Sequence, residues 1–262
     1  MIITSNLPKP TAVPPHPPGM LLAAAVDVEW SKNYRIQGGN VPFCYSLVWL
    51  TLPRSDTGTS LDASPFWYTC AYVHDTTETA KLATEAGRAL DRVLQHADLV
   101  AGHQLSSDLA VLAASCDKPP PGVAATRTAW HQRRQSDPTA RPRIVDTRYD
   151  AGHILACTSR RLVDVCTDMG LDVTQPELRG TSMTALHRRW LETGDTTARE
   201  KTSVLNLRHS LSTALVAAHA AGVGRWSDRL NVNRLLAGEL SGAFDWVSSP
   251  MFTALMGDRS AP

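Results

Sequence analysis

Leu21-Leu22-Ala23-Ala24-Ala25-Val26-Asp27-Val28-Glu29-Trp30 is the stretch on which the fold of this chain turns. The run is too short to span a bilayer, and an apolar segment of this length reads as a buried strand. Residues two apart on a strand share a face, so Asp27 and Glu29 project together from its end. Two carboxylates on one face repel and are costly to bury, and a divalent cation between them removes both problems. The same ten residues also suit an exposed strand end carrying two solvated acids. The rest of the chain has to separate these alternatives.

Working outward, residues 31–40 are polar and include Lys32, Tyr34, Arg35 and Gly38-Gly39. Phe43 to Leu52 reads as a second strand, and residues 53–65 as a loop broken by Pro53, Gly58 and Pro65. Phe66 to Val73 reads as a third strand, which makes an antiparallel meander. The period then becomes helical from Thr76 to Ala97, with Ala83, Leu90, Val93, Leu94 and Ala97 at three- and four-residue steps. Asp98 to Gly102 is a short strand, followed by a helix from about Ser106 to Ser115.

Residues 117–142 are expected to be irregular, with Pro119-Pro120-Pro121-Gly122 as a breaker. Arg127 to Arg143 holds five arginines and one acid. It reads as a solvated surface loop, or as an arm gripping a nucleic-acid backbone with Trp130 as its stacking aromatic. Arg143 to Thr147 is a strand. Arg160 to Met169 is a helix closed by Gly170. Ser182 caps a helix ended by Gly194, and Thr197 with Glu200 has capping-box spacing for a long helix to Ala221. That helix is apolar on several sides and therefore buried. The tail from Trp226 is expected to pack on the body or on a partner, including another copy in a homo-oligomer.

The 26 basic and 25 acidic side chains nearly cancel in 262 residues, so a bulk basic coat is absent and any nucleic-acid contact is local. The five cysteines (Cys44, Cys70, Cys116, Cys157 and Cys166) have no CxxC spacing, which argues against a disulfide scaffold or zinc ribbon and fits a reducing cytoplasm. Residues 1–20 are proline-rich and read as an extended arm rather than a signal peptide. No stretch is long and apolar enough to span a membrane. The expected organisation is an arm at 1–20, a body at 21–222 and a C-terminal extension at 223–262.

Four segments occur in an order that resembles the DEDD 3′→5′ exonucleases: Asp27-Val28-Glu29, Gly102-His103-Gln104 with Asp108-Leu109, Val145-Asp146-Thr147, and Ser159-Arg160-Arg161-Leu162 through Cys166 to Gly170-Leu171. Asp27-Val28-Glu29-Trp30 leans toward the RNase D-like branch. The resemblance implies an α/β, ribonuclease H-like fold with a mixed five-stranded sheet flanked by helices. It also implies a two-metal site for Mg²⁺ or Mn²⁺ held by Asp27, Glu29 and Asp108, acting on a DNA or RNA 3′ end. Val28 and Trp30 would lie near the terminal nucleotide, with His103 and Arg160 as lesser substrate contacts. From the residues themselves, Asp108 opens a helix, where negative charge is favoured. His103 more simply holds the loop before it, and the resemblance places Asp146 at a position that usually supports structure.

The third motif departs from this pattern. The family has an Asp shortly before a small-Thr-Ala run, with a Tyr or His one turn earlier. Here the run is Ser212-Thr213-Ala214, and the position four before Thr213 is His209. Leu205 and Val204 stand where the Tyr or His would be. An imidazole removes one negative charge and suits Mn²⁺ better than Mg²⁺. His209 is thus a substitute ligand, a general base, or the mark of a lost site. Three functional classes follow: a metal-dependent exonuclease, an impaired nuclease fold retained as a nucleic-acid- or protein-binding module, or a structural scaffold that binds no nucleic acid.

Overall fold

In the computed structural model, which describes residues 1–31, 39–54, 59–62, 64–137 and 141–256, the Leu21–Trp30 run lies inside a six-stranded mixed sheet. Its strands are β1 (Ile2–Ser5), β2 (Met20–Ser31), β3 (Val41–Pro53), a two-residue β4 (Thr59–Ser60) that lies outside the sheet, β5 (Phe66–Tyr72), β6 (Leu99–Gly102) and β7 (Arg143–Asp146). The order across the sheet is β1-β5-β3-β2-β6-β7. The strands β2, β3 and β5 form the expected antiparallel meander, and β6 and β7 add in parallel. Lys32, Tyr34, Arg35, Gly38 and Gly58 lie outside the described residues.

The sheet has one strand more than the five expected, because Ile2–Ser5 pairs antiparallel with β5. The prolines of the N-terminal arm begin only after this β-branched pair of isoleucines. Asn6 then extends the ladder with its side chain, accepting from Tyr68 N at 2.7 Å and donating to Phe66 O at 3.0 Å.

The helices α1 (Thr79–His96) and α2 (Leu105–Ala114) lie on one face of the sheet, and α3 (Pro121–Gln132) packs on both of them. Leu82, Ala83, Ala86, Leu90 and Val93 form the buried stripe of α1. The helix α3 replaces the irregular segment expected there. Pro121 sits in its first turn, where a missing N–H costs nothing and a fixed φ helps, so the proline run starts a helix instead of ending one. Gly122 lets α3 lie directly on α1, since a Cβ there would stand 2.0 Å from the Gly87 carbonyl oxygen.

The chain then runs through α4 (Thr147–Asp150), α5 (Leu162–Asp168), β8 (Leu171–Asp172) and α6 (Met183–Thr193) to α7 (Thr196–Ala220). Ser182 caps α6 and Gly194 ends it at φ 69°. The cap of α7 is Asp195, not Thr197, and Glu200 instead accepts the backbone N–H of Trp246 at 2.9 Å.

The helix α7 lies across the opposite face of the sheet and is buried nearly all round. The C-terminal segment closes over its outer side with β9 (Gly224–Arg225), β10 (Leu230–Asn231), α8 (Val232–Leu240) and α9 (Pro250–Thr253). Phe244, Trp246 and Phe252 of this segment are buried in the core of the body. Arg208 on α7 is wholly buried; it donates to both carboxylate oxygens of Glu177 at 2.7 and 2.9 Å, and to Asn233 Oδ1 at 2.7 Å. A buried guanidinium requires such pairing. No described helix is long and apolar enough to cross a membrane.

Candidate metal centre

The strand β2 pairs with β6 only across Ala23–Ala25, but with β3 as far as Ser31. Asp27 and Glu29 therefore stand on an overhang beyond the β6 contact. A register shift between Glu29 and Trp30 ends the regular alternation there, a feature that re-aims side chains at sheet margins.

Asp27 lies opposite Ser46, and Ser46 Oγ donates to Asn206 O on α7 at 3.0 Å. Asn206 Nδ2 donates in turn to Asp27 Oδ2 at 2.6 Å. His209 is three residues further along the same helix face. Its Nδ1 is 3.0 Å from Glu29 Oε1 and 3.5 Å from Asp27 Oδ2. One ligand atom from each of Asp27, Glu29 and His209 lies within 4.8 Å of the other two. The other ring nitrogen, Nε2, is 3.2 Å from the side-chain amide of Gln175.

Asp108 stands beside this trio, brought there by the turn from β6 into α2. Gln104 takes a left-handed conformation at φ 64°. Asp146, at the end of β7, accepts the N–H groups of Gln104 at 2.9 Å and Leu105 at 3.0 Å, fixing the start of α2. Asp108 is 3 % exposed, the nearby Val28 N–H on the β2 overhang favours its charged form, and its Oδ2 has no hydrogen-bond partner among the described residues.

The electrostatics follow from this crowding. Burial, then the charges of Asp27, Glu29 and Asp146, push the Asp108 carboxyl well above the usual range, and the Val28 N–H offsets this in part. Burial also raises Glu29; the His209 hydrogen bond opposes that rise, and the Asp27 charge adds to it. For His209 burial acts downward, but the hydrogen bonds and charges of Asp27 and Glu29 overcome it and lift the imidazole to about 10. Without a cation, His209 is an imidazolium bridging two acids at neutral pH.

The expected substrate contacts fare differently. The Val28 N–H lies near Asp108, whose charged form it favours. Trp30 packs, half-buried, on the edge of the core. His103 bonds Thr147 Oγ1 at 2.9 Å and the Arg160 backbone, and burial pulls its pKa down to about 4, so it is a neutral tie between loops. Arg160 donates to the carbonyls of Cys157 and Ser159 at 2.8 and 3.2 Å, within its own loop. Trp130 is no free stacking platform: its indole N–H donates to Asp146 Oδ2 at 2.9 Å, and the Arg133 guanidinium lies 4.1 Å from its ring centre.

Asn206 and Gln175 were not among the expected site residues. The i, i+3 relation of Asn206 to His209 signals a shared helix face. The contact between Gln175 and His209 spans 34 residues and has no local signature.

Two acids and an imidazole nitrogen, with a buried unpartnered carboxylate oxygen beside them, fit the donor set of a divalent cation. They supply one carboxylate fewer than the four-acid set of a two-cation site. No protein-family model matches the chain, and no curated protein matches it in sequence.

Proposed function

We propose that this chain is a divalent-metal-dependent phosphodiester hydrolase acting at the 3′ end of DNA or RNA. The observation that supports this reading is the convergence of Asp27, Glu29 and His209 at one end of β2, with Asp108 near enough for its charge to act on the two acids and its Oδ2 buried without a partner among the described residues. Asp27, Glu29 and His209 Nδ1 would hold the cation, and the Asp108 carboxylate would add its charge nearby. A cation there supplies Lewis acidity toward the phosphoryl group and a bound water acidic enough to attack it. Asn206 orients the Asp27 carboxylate through its 2.6 Å bond, and Asp146 keeps the start of α2, and so Asp108, in place. With an imidazole in place of the fourth carboxylate, the site prefers Mn²⁺ over Mg²⁺. The five free thiols support a cytoplasmic setting.

One observation favours a second reading. The His209 imidazolium already bridges Asp27 and Glu29 and offsets one of their charges without any cation, as expected of a nuclease fold retained for binding nucleic acid or protein. Incubation with 3′- and 5′-labelled single strands and duplexes, in Mg²⁺, Mn²⁺ or chelator, separates the two. Shortening from the 3′ end that Mn²⁺ supports and chelator abolishes sustains the hydrolase. Salt-dependent retention of intact strands supports the binding module. Neither cleavage nor retention removes nucleic acid from both readings.

A further inference from the structure

The geometry points to Gln175 as a positioning residue for His209: its side-chain amide accepts the Nε2 proton of the ring, leaving Nδ1 as the atom that faces a cation held by Asp27 and Glu29. This deepens the metal-site reading and rests on it for the cation, though not for the orientation of the ring.

Nδ1 points at the two acids, and Nε2 points the other way, to within 3.2 Å of the Gln175 amide nitrogen. In each state in which His209 serves the acids, Nε2 carries a proton. As an imidazolium, both nitrogens are donors. As a neutral ligand through Nδ1, the ring keeps its proton on Nε2, and metal-bound histidines generally hand that proton to an acceptor. A glutamine amide can present either end, and a proton on Nε2 selects the oxygen, so the amide turns end for end and Oε1 accepts. A neutral ring protonated on Nδ1 instead would need the amide nitrogen as donor and would have no lone pair to offer a cation.

The placement of Gln175 is built rather than incidental. It directly precedes the 3₁₀ turn Pro176–Leu178, and the N–H of Leu178 donates back to Gln175 O at 3.3 Å. Glu177 in that turn is buried against Arg208, the residue immediately before His209. Trp246 Nε1 adds a third bond to the same carboxylate at 3.1 Å. One buried ion pair thus fixes the separation between the helix carrying the ring and the turn carrying its partner. Beyond Gln175 the surface opens into a groove of about 880 Å³ lined by Gly170, Asp172, Thr174 and Asp228, so this pin, rather than packing on every side, holds the amide.

The test uses the full chain with Gln175→Met, which keeps size but removes the acceptor, and Gln175→Glu, which restores one. In metal-free protein, ¹⁵N-resolved NMR of the His209 ring is expected to show a protected Nε2–H in wild type and in Gln175→Glu. In Gln175→Met that proton should exchange at least about tenfold faster. Calorimetric titration with Mn²⁺ is expected to weaken roughly 10–100-fold in Gln175→Met and to stay within about threefold of wild type in Gln175→Glu. Wild-type ring exchange in Gln175→Met, or a Glu variant that behaves like Met, would overturn the assignment. If wild type binds no Mn²⁺, the metal-site reading fails, and the metal-free ring spectra still decide whether Gln175 orients His209.

Discussion

Trp130 donates its indole N–H to Asp146 Oδ2, the same oxygen that accepts the backbone N–H of Leu105. The aromatic ring of an arginine-rich segment is thereby tied to the strand end that fixes α2. Trp130→Phe removes one donor to a charged acceptor and is expected to cost about 1–2 kcal/mol. Asp146→Asn disturbs a carboxylate that also accepts from Gln104 and Arg148, and should cost more, at least about 2 kcal/mol. Urea denaturation of the two variants checks the ranking. Equal stabilities would mean that Asp146 does not organise the turn.

Asp27→Ala is expected to lower Mn²⁺ affinity by at least about tenfold while leaving the circular dichroism spectrum unchanged, because Asp27 stands partly exposed on the strand overhang beyond the β6 contact. His209→Ala should also lose the cation. His209→Asp restores a fourth carboxylate and should move the preference toward Mg²⁺. Calorimetric titrations with each cation decide this. A His209→Ala variant that binds both cations as wild type does would show that another group completes the site.

Stability without metal should fall as pH rises. His209 keeps its proton to about 10 in the folded chain, against about 6.5 for a free imidazole. Its contribution is therefore complete below the unfolded value and gone above the folded one. The raised pKa values of Asp108 and Glu29 act in the same direction at lower pH. Denaturation midpoints should drop from about pH 6 to about pH 9, and Mn²⁺ should restore most of the loss at the alkaline end, where it no longer competes with the proton. A metal-free midpoint that climbs over this range would contradict the bridging imidazolium.

Gly122→Ala should destabilise the fold without touching the site. Its new Cβ would meet the Gly87 oxygen at 2.0 Å and Asp91 N at 2.8 Å, both backbone atoms that cannot turn aside. Separating α3 from α1 should cost about 3 kcal/mol, while metal affinity in the folded fraction stays at the wild-type level. An unchanged melting temperature would show that the helices part freely.

Much of this architecture was legible because its signals are local. The run from Leu21 to Trp30 is apolar on both faces and then acidic on one, which specifies a buried strand with an acidic end. Ser182 and Gly194 mark α6 by their own backbone chemistry. What escaped reading depends on distant partners. Pro119-Pro120-Pro121 is ambiguous between stopping and starting a helix until α1 is there to receive Gly122. Ile2-Ile3 carries too little pattern to announce a strand before β5 pairs with it. Trp130 shows a ring in the sequence but not Asp146 at its edge, and nothing near Gln175 discloses His209.

The overhang of β2 beyond β6 has an evolutionary consequence. The strand ladder holds two of the acids, the Asp146 carboxylate and the packing of Leu105 seat the helix end carrying Asp108, and the fourth position rides on a separate helix. Exchanging the residue at position 209 therefore alters the charge of the site without unpicking a single rung of the sheet. On the proposed reading, a scaffold joined in this way crosses between cleaving a strand and merely holding it through one substitution, with its strand pairing left untouched.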